Sequence, residues 1–248
     1  MSQLDFDLVL PEKNIRQAPL ISVIKTEYEE KKGIRNYKKE FITLFKSTAQ
    51  HHKRYKVFSD FLAVSSIAIQ NSVLKCKELE DEYFKIIRSY EKKDLLNFST
   101  LLSFIVAGLE SCTEDFLGSV YMDLELGNKD TGQFFTPFYV SELMSEVLLG
   151  DVADTIKTKG YVSLCEPTAG AGGMIIAVAK NLRDKNYNPQ TQMLAVCTDI
   201  DSDAAGMCYI QLSLLGIPAV VNTGNTLTNI ITKTWYTPFY YFNSWRFR

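Results

Sequence analysis

Histidine is nearly absent from this chain, which carries only His51 and His52. The two are adjacent and set among basic residues, a poor geometry for a metal site, so no metal is expected. The five cysteines are Cys76, Cys112, Cys165, Cys197 and Cys208, with no Cys-x-x-Cys pair. An odd, widely spaced set argues against a disulfide framework and against a zinc site. Cys165 and Cys197 fall in apolar runs and are expected to pack in a core. No run of 18 or more apolar residues occurs, so no membrane-spanning helix and no membrane partner are expected. The start, Met1-Ser2-Gln3-Leu4-Asp5-Phe6-Asp7, lacks the basic end and apolar stretch of a signal peptide, and a cytoplasmic location is expected. No proline falls between Pro19 and Pro137, which permits long helices there.

What is present fits a globular protein. The 248 residues are 46% hydrophobic and 23% charged, enough for one large domain or two modest ones. The net charge of −2 argues against a free-standing, high-affinity nucleic-acid binder. The charge is uneven, however. Residues 25–56 hold ten Lys and Arg against four acids, leaving the rest of the chain at −8. Such a patch is able to contact phosphates, but a solvated helix face is the favoured reading.

Two textures divide the chain near residue 128. From about 20 to 128 the pattern is helical, with helices expected over Val57–Leu74, Glu78–Tyr90 and Leu101–Leu126. The second is expected to turn Leu79, Tyr83, Phe84, Ile86 and Ile87 inward, and Gly33 to break a first basic helix. Residues 129–248 alternate strand and helix. Pro137 opens a helix, and Tyr161–Cys165, Met193–Thr198 and Pro218–Asn222 read as strands. Helices are expected over Gly173–Leu182 and from a cap at Asp201–Asp203 to Leu215. This alternation implies an α/β fold with a parallel, doubly wound sheet behind a mainly helical N-terminal region. The stretch Trp235–Arg248 is aromatic-rich and is left unassigned.

Four segments carry the chemistry. Glu166-Pro167-Thr168-Ala169-Gly170-Ala171-Gly172-Gly173 leaves one expected strand and opens a helix, where glycines let backbone approach a ligand. Alone, such a loop is equally a simple turn. Thr198-Asp199-Ile200-Asp201 ends the second strand, where an acid is placed to accept hydrogen bonds from ribose hydroxyls. If Asp201 or Ser202 caps the next helix, Asp199 is free for a ligand. Thr131-Gly132-Gln133-Phe134-Phe135-Thr136-Pro137 is either an aromatic core staple or one wall of an adenosyl pocket. Gly224-Asn225-Thr226-Leu227 follows the third strand and alone reads as a turn.

In this order and spacing, over about residues 115–228, the four segments resemble the N6-adenine DNA methylases of the type I restriction-modification M-subunit family. The resemblance implies a class I methyltransferase (Rossmann-like) sheet, incomplete in this chain, and S-adenosylmethionine as cofactor. It also implies double-stranded DNA as substrate, with a specificity or partner subunit in a hetero-oligomer. It makes cofactor-binding candidates of Gln133, Phe134, Phe135, Thr136 and Pro137, and of Glu166, Pro167, Thr168, Gly170, Gly172 and Gly173. Phe134, Thr136 and Pro137 would meet the methionine end, while Glu166, Thr168, Gly170 and Gly172 line the loop beneath it. Asp199 would bind the ribose and Ile200 pack on the adenine ring. Asn225 stands where the family often has an aspartate near the cofactor base.

The chain departs from the family at the catalytic motif. These methylases use Asn/Asp-Pro-Pro-Phe/Tyr to hold the flipped target adenine, and no such motif occurs in this sequence. Thr237-Pro238-Phe239-Tyr240 is the nearest segment and makes a poor substitute. No catalytic residue is therefore assigned. Two readings follow: an adenine methyltransferase or the cofactor-binding part of one, and an inactive relative that modulates a methyltransferase or restriction complex. A Rossmann-type oxidoreductase is weakest, because Gly170-Ala171-Gly172-Gly173 lacks the G-x-G-x-x-G spacing.

Overall fold

The computed structural model describes residues 36–126, 134–150 and 152–247. Its first part is a helical layer: α1 over 36–47, α2 (Arg54–Leu74), α3 (Lys77–Ile87), α4 (Lys92–Ser111) and α5 (Phe116–Asp123). Aromatic side chains recurring at helical spacing join these elements. Phe61 of α2 meets Phe41 of α1 and Phe98 of α4 edge-on, with ring centroids 5.8 and 5.6 Å apart. Phe41 also meets Phe116 of α5 at 6.0 Å. Edge-to-face pairs of this kind add about 0.5–1.5 kcal/mol beyond their area burial.

Helix α2 is apolar enough, at a mean hydropathy of 1.4, to match a membrane span in length and composition. The sequence expectation rested on unbroken apolar runs, which α2 avoids with Ser65, Ser66 and Gln70. Half of that window is buried inside the molecule, as in any core helix.

The basic segment has structural work within its described part. The Arg54 guanidinium donates to the carbonyls of Phe45 (3.1 Å), Thr48 (2.6 Å), His52 (3.0 Å) and Ala49. These oxygens belong to the last turn of α1 and the turn after it, where Phe45 and Ala49 also accept from the Thr48 and His52 N–H groups, so Arg54 closes the C-terminal end of α1 from the start of α2. Lys38 pairs with Asp123 at 2.8 Å. Arg54→Ala should lower unfolding stability by about 2 kcal/mol in urea titration, the scale of hydrogen bonds to a charged donor. Exposed Lys39→Ala should stay within about 0.5 kcal/mol. Equal effects would leave Arg54 no capping role.

Two helical expectations change. The run Leu101–Leu126 is broken after Ser111, because the Asp115 side chain accepts from the Gly118 N–H (2.8 Å) and starts α5 as a new helix. Helix α3 buries none of its residues: Leu79, Tyr83 and Ile86 lie half-covered and Phe84 is exposed. The expected break at Gly33 falls outside the described residues, as does the boundary near 128.

The second part is the sheet. After α6 (Phe138–Leu149) and α7 (Ala153–Lys159) come β1 (Val162–Glu166), α8 (Gly173–Asp184), α9 (Pro189–Gln192) and β2 (Met193–Asp199). Then follow α10 (Ser202–Leu214), β3 (Ala219–Asn225), β4 (Ile230–Tyr236), α11 (Pro238–Phe242) and a 3-10 turn at Trp245–Phe247. Strand order is β1-β2-β3-β4, parallel through β3. The β1-α8-β2-α10-β3 crossovers make one half of a Rossmann-like sheet and bring the carboxyl ends of three strands to one edge. β4, absent from the sequence expectation, returns antiparallel beside β3 through a bulge at Thr223/Gly224.

Cys197 is buried as expected, but Cys165 is exposed. It shares the exposed face of β1 with Ser163, since alternate residues along a strand point to the same face. One apolar cluster runs from Phe41 to Trp235 through both parts. Helix α10 joins them, through Asp203 to Ser59 (2.7 Å) and Tyr209 to Gln70 (2.9 Å) on α2.

Candidate functional site

A cleft of about 700 Å³ opens at the carboxyl ends of β1 and β2, where open α/β sheets bind ligands. The glycine segment builds its floor. The loop is fixed at both ends: Ala169 N–H donates to the Thr198 carbonyl (2.9 Å) and Gly172 N–H to the Ala169 carbonyl (2.9 Å). Gly170 and Gly172 take φ of +54° and +93°, which only glycine adopts without strain. The space is as restrictive as the angle. A Cβ on Gly170 would stand 2.9 Å from the Phe135 ring. Gly170→Ala should therefore cost about 1–2 kcal/mol in thermal or urea unfolding and tilt Phe135 away from the loop. A variant as stable as the parent would refute the close packing.

Asp199 ties the loop to the second strand. Its Oδ2 accepts from Gly170 N–H (2.7 Å) and its Oδ1 from Asp201 N–H (2.9 Å). Asp201 in turn accepts from Asp203 N–H (2.8 Å) and caps α10, as its sequence position suggested. Each Asp199 oxygen keeps a second lone pair. At the end of β1, Glu166 Oε1 accepts from the Thr168 N–H (3.2 Å) and hydroxyl (3.3 Å).

Phe134, Phe135 and Thr136 form the facing wall. The Phe135 ring lies 5.4 Å from that of Tyr121, whose hydroxyl is pushed up to about 12 by burial and then by Asp201 and Asp203. Phe134 and Ile200 line the cleft with their side chains 78% and 71% exposed, open flanks on which a flat ring can lie.

The structure thus brings together Phe134, Phe135, Thr136, Glu166, Thr168, Gly170, Gly173, Asp199 and Ile200. Four candidates sit differently. Pro137 is the N-cap of α6. The Pro167 carbonyl accepts from the Thr226 hydroxyl at 2.6 Å. Gly172 backs onto Cys208, whose Sγ would be 3.0 Å from an added Cβ. Asn225 spends its Oδ1 on the Leu227 and Thr228 N–H groups (2.9 and 3.2 Å), holding the turn into β4. Gln133 lies outside the described residues.

Sequence reasoning missed Asp115, Ser141 and Asp201 on the cleft wall. Burial raises the Asp115 carboxyl above the usual range, against the lowering effect of hydrogen bonds from Gln211 and the Gly118 N–H. The cleft is acidic, with Asp115, Glu166, Asp199 and Asp201 around it, and this suits a cationic ligand. Among the described residues no cluster of His, Cys, Asp or Glu has metal-binding geometry.

Thr237-Pro238-Phe239-Tyr240 lies away from this cleft. The Thr237 hydroxyl donates to the Ile217 carbonyl and accepts from Ala219 N–H, both at 2.8 Å, at the amino end of β3. It is fully buried there, at the opposite end of the sheet.

Among solved structures, the chain is similar to a Listeria monocytogenes protein described as a class I S-adenosylmethionine-dependent methyltransferase. Identity is 18% and the TM-score 0.43, over 80% of this chain and 56% of the other. It is also similar to the type I restriction-modification system methyltransferase subunit from Streptococcus thermophilus. There identity is 13% and the TM-score 0.37, over 75% of this chain and 56% of the other. The chain therefore spans little more than half the length of either structure. No curated protein matches it. The family model for N-6 DNA Methylase matches residues 113–239, from the turn before α5 to the start of α11. That is just over half of the sequence and includes every wall of the cleft, and the chain belongs to the N-6 DNA methylase family.

Proposed function

We propose that the cleft binds S-adenosylmethionine and that the chain serves N6-adenine DNA methylation in a restriction-modification type system. One observation carries this reading: three segments distant in sequence, at Phe134–Thr136, Glu166–Gly173 and Asp199–Asp201, meet around a single cleft of cofactor size. The residues present fit the group. Its sulfonium and ammonium make it a net cation, matched by four surrounding carboxylates. Its adenine is flat, matched by Ile200 and Phe134. Its ribose hydroxyls need an acceptor, matched by the free lone pairs of Asp199. When bound, the group supplies an electrophilic methyl. The chain's residues orient it and exclude water from one side.

The same proposal includes double-stranded DNA as substrate, a specificity or partner subunit, and a cytoplasmic location. A second reading is favoured by a particular observation. The sequence contains no Asn/Asp-Pro-Pro motif, and its nearest segment begins at Thr237, buried at the far end of the sheet. In this reading the chain is an inactive relative that modulates a methyltransferase complex, whereas the first reading needs an adenine pocket from outside these residues.

Transfer of labelled methyl to adenine-containing DNA separates these readings. The purified chain alone should transfer little or nothing, and a partner polypeptide should restore transfer if it supplies the adenine pocket. Robust transfer by the chain alone would contradict this account of the missing motif.

A further inference from the structure

Helix α6 is inverted. Its buried residues are Ser141, Ser145 and Leu149, and it is held to α8 through Ser145 to Asn181 (3.4 Å) and Glu142 to Lys180 (2.8 Å). Its large apolar residues point away from that contact. Tyr139, Leu143 and Val147 are 72, 63 and 78% exposed. At about 3.6 residues per turn these three form one row on the side opposite the serines. A surface helix ordinarily turns its apolar stripe to the core. The outward row of α6 is therefore a surface in want of a cover.

The last turn of α6 forms one wall of a groove of about 490 Å³ that follows β1, lined also by Val152, Lys159, Leu164 and Cys165. β1 pairs with β2 alone among the described strands, so its other edge offers unpaired backbone groups. A ridge and a groove side by side are what a self-complementary, two-fold interface requires, since the ridge of each copy can seat in the groove of the other. The charges match in the same sense. Glu146 lies exposed beside the ridge and Lys159 exposed at the groove, and neither has an ion pair among the described residues. The exposed side chains of α6 present roughly 500 Å², near the largest patch a typical monomer leaves in water. Ridge and groove together approach the roughly 800 Å² per partner of a stable complex.

We propose that the α6 ridge and the β1 groove form a two-fold interface between two copies of this chain. Each copy lays Leu143 and Val147 against the other's groove, and Glu146 of each copy faces Lys159 of the other. Met144, the next residue along the helix from Leu143, lines the ligand cleft, so the interface lies beside the cleft on both copies.

The test is sedimentation equilibrium of the full chain without ligand, so its outcome is independent of the cofactor reading. The parent should sediment at twice the 28.2 kDa of one chain at low micromolar concentration. Leu143→Glu changes a side chain that is already exposed and lies outside the cleft. It should keep the circular dichroism of the parent and raise the dimer dissociation constant about a hundredfold, because each dimer would bury two such charges. Val147→Glu repeats the test at a second exposed position. Glu146→Lys and Lys159→Glu should each weaken association about tenfold, since the pair occurs twice in a two-fold dimer. Both changes in one chain should restore it. A parent that keeps the mass of one chain up to about 0.1 mM would overturn the proposal and leave the face to a different polypeptide. A dimer that Leu143→Glu and Val147→Glu leave intact would overturn it too, as would charge variants whose losses add instead of cancelling.

Discussion

Asp199→Ala should weaken S-adenosylmethionine binding about a hundredfold, through two bonds to ribose hydroxyls of about 1.5 kcal/mol each. The carboxylate stands at the carboxyl end of β2, within the cleft wall. Its sequence position suggested a residue free for a ligand. The structure adds a second duty, since Asp199 also receives the N–H groups of Gly170 and Asp201. The alanine variant therefore loosens the glycine loop as well, at about 1–3 kcal/mol for each N–H left without an acceptor and sheltered from water. Asp199→Asn helps to separate the duties. Its single amide oxygen keeps one backbone acceptor, while its NH2 group opposes the other N–H. It should recover part of the stability and little of the affinity. Unchanged affinity in both variants would rule out the ribose role.

Gln211→Leu should cost about 3–5 kcal/mol of stability in urea titration, because it takes a hydrogen bond from three buried groups at once, of which Asp115 Oδ1 keeps the Gly118 N–H. Gln211 is fully buried in α10. Its Oε1 accepts from Leu117 N–H (2.9 Å), and its Nε2 donates to Asp115 Oδ1 (2.8 Å) and to the Ala171 carbonyl (2.8 Å). One side chain thus joins α5, α10 and the glycine loop. Leucine keeps much of the volume, so packing loss contributes little and the measured cost reports the hydrogen bonds. A cost below about 1 kcal/mol would mean that the three elements are held by apolar contact alone.

The Rossmann-like half was legible because its punctuation is chemical. Short apolar runs end in Gly-rich or Asp-containing turns, and these residues do in the structure what their positions imply. Asp201 caps α10, and Gly170 and Gly172 take left-handed angles. β4 was hidden because its Ile230, Ile231 and Thr232 are exposed, so the strand carries no inward-outward alternation. The break between α4 and α5 has neither proline nor glycine to announce it. It depends on Asp115, whose partner Gln211 is remote in sequence. Cys165 looked like core because its run is apolar, but its side chain lies on the exposed face of β1 with Ser163.

The cleft was legible through its loops and obscure through its helices. Asp115 sits inside a run that reads as one long helix and Ser141 in the first turn of another, and only tertiary packing brings them to the wall. Asn225 shows the opposite limit. Its place in the motif order suggested a cofactor contact, while its side chain serves the adjoining turn.

The most direct test of the central claim is calorimetric titration of the folded, purified chain with S-adenosylmethionine. A cleft with these carboxylates, this glycine floor and these open apolar flanks should give saturable one-to-one binding well below millimolar concentration. A folded chain that takes up no cofactor at millimolar concentration would contradict the account.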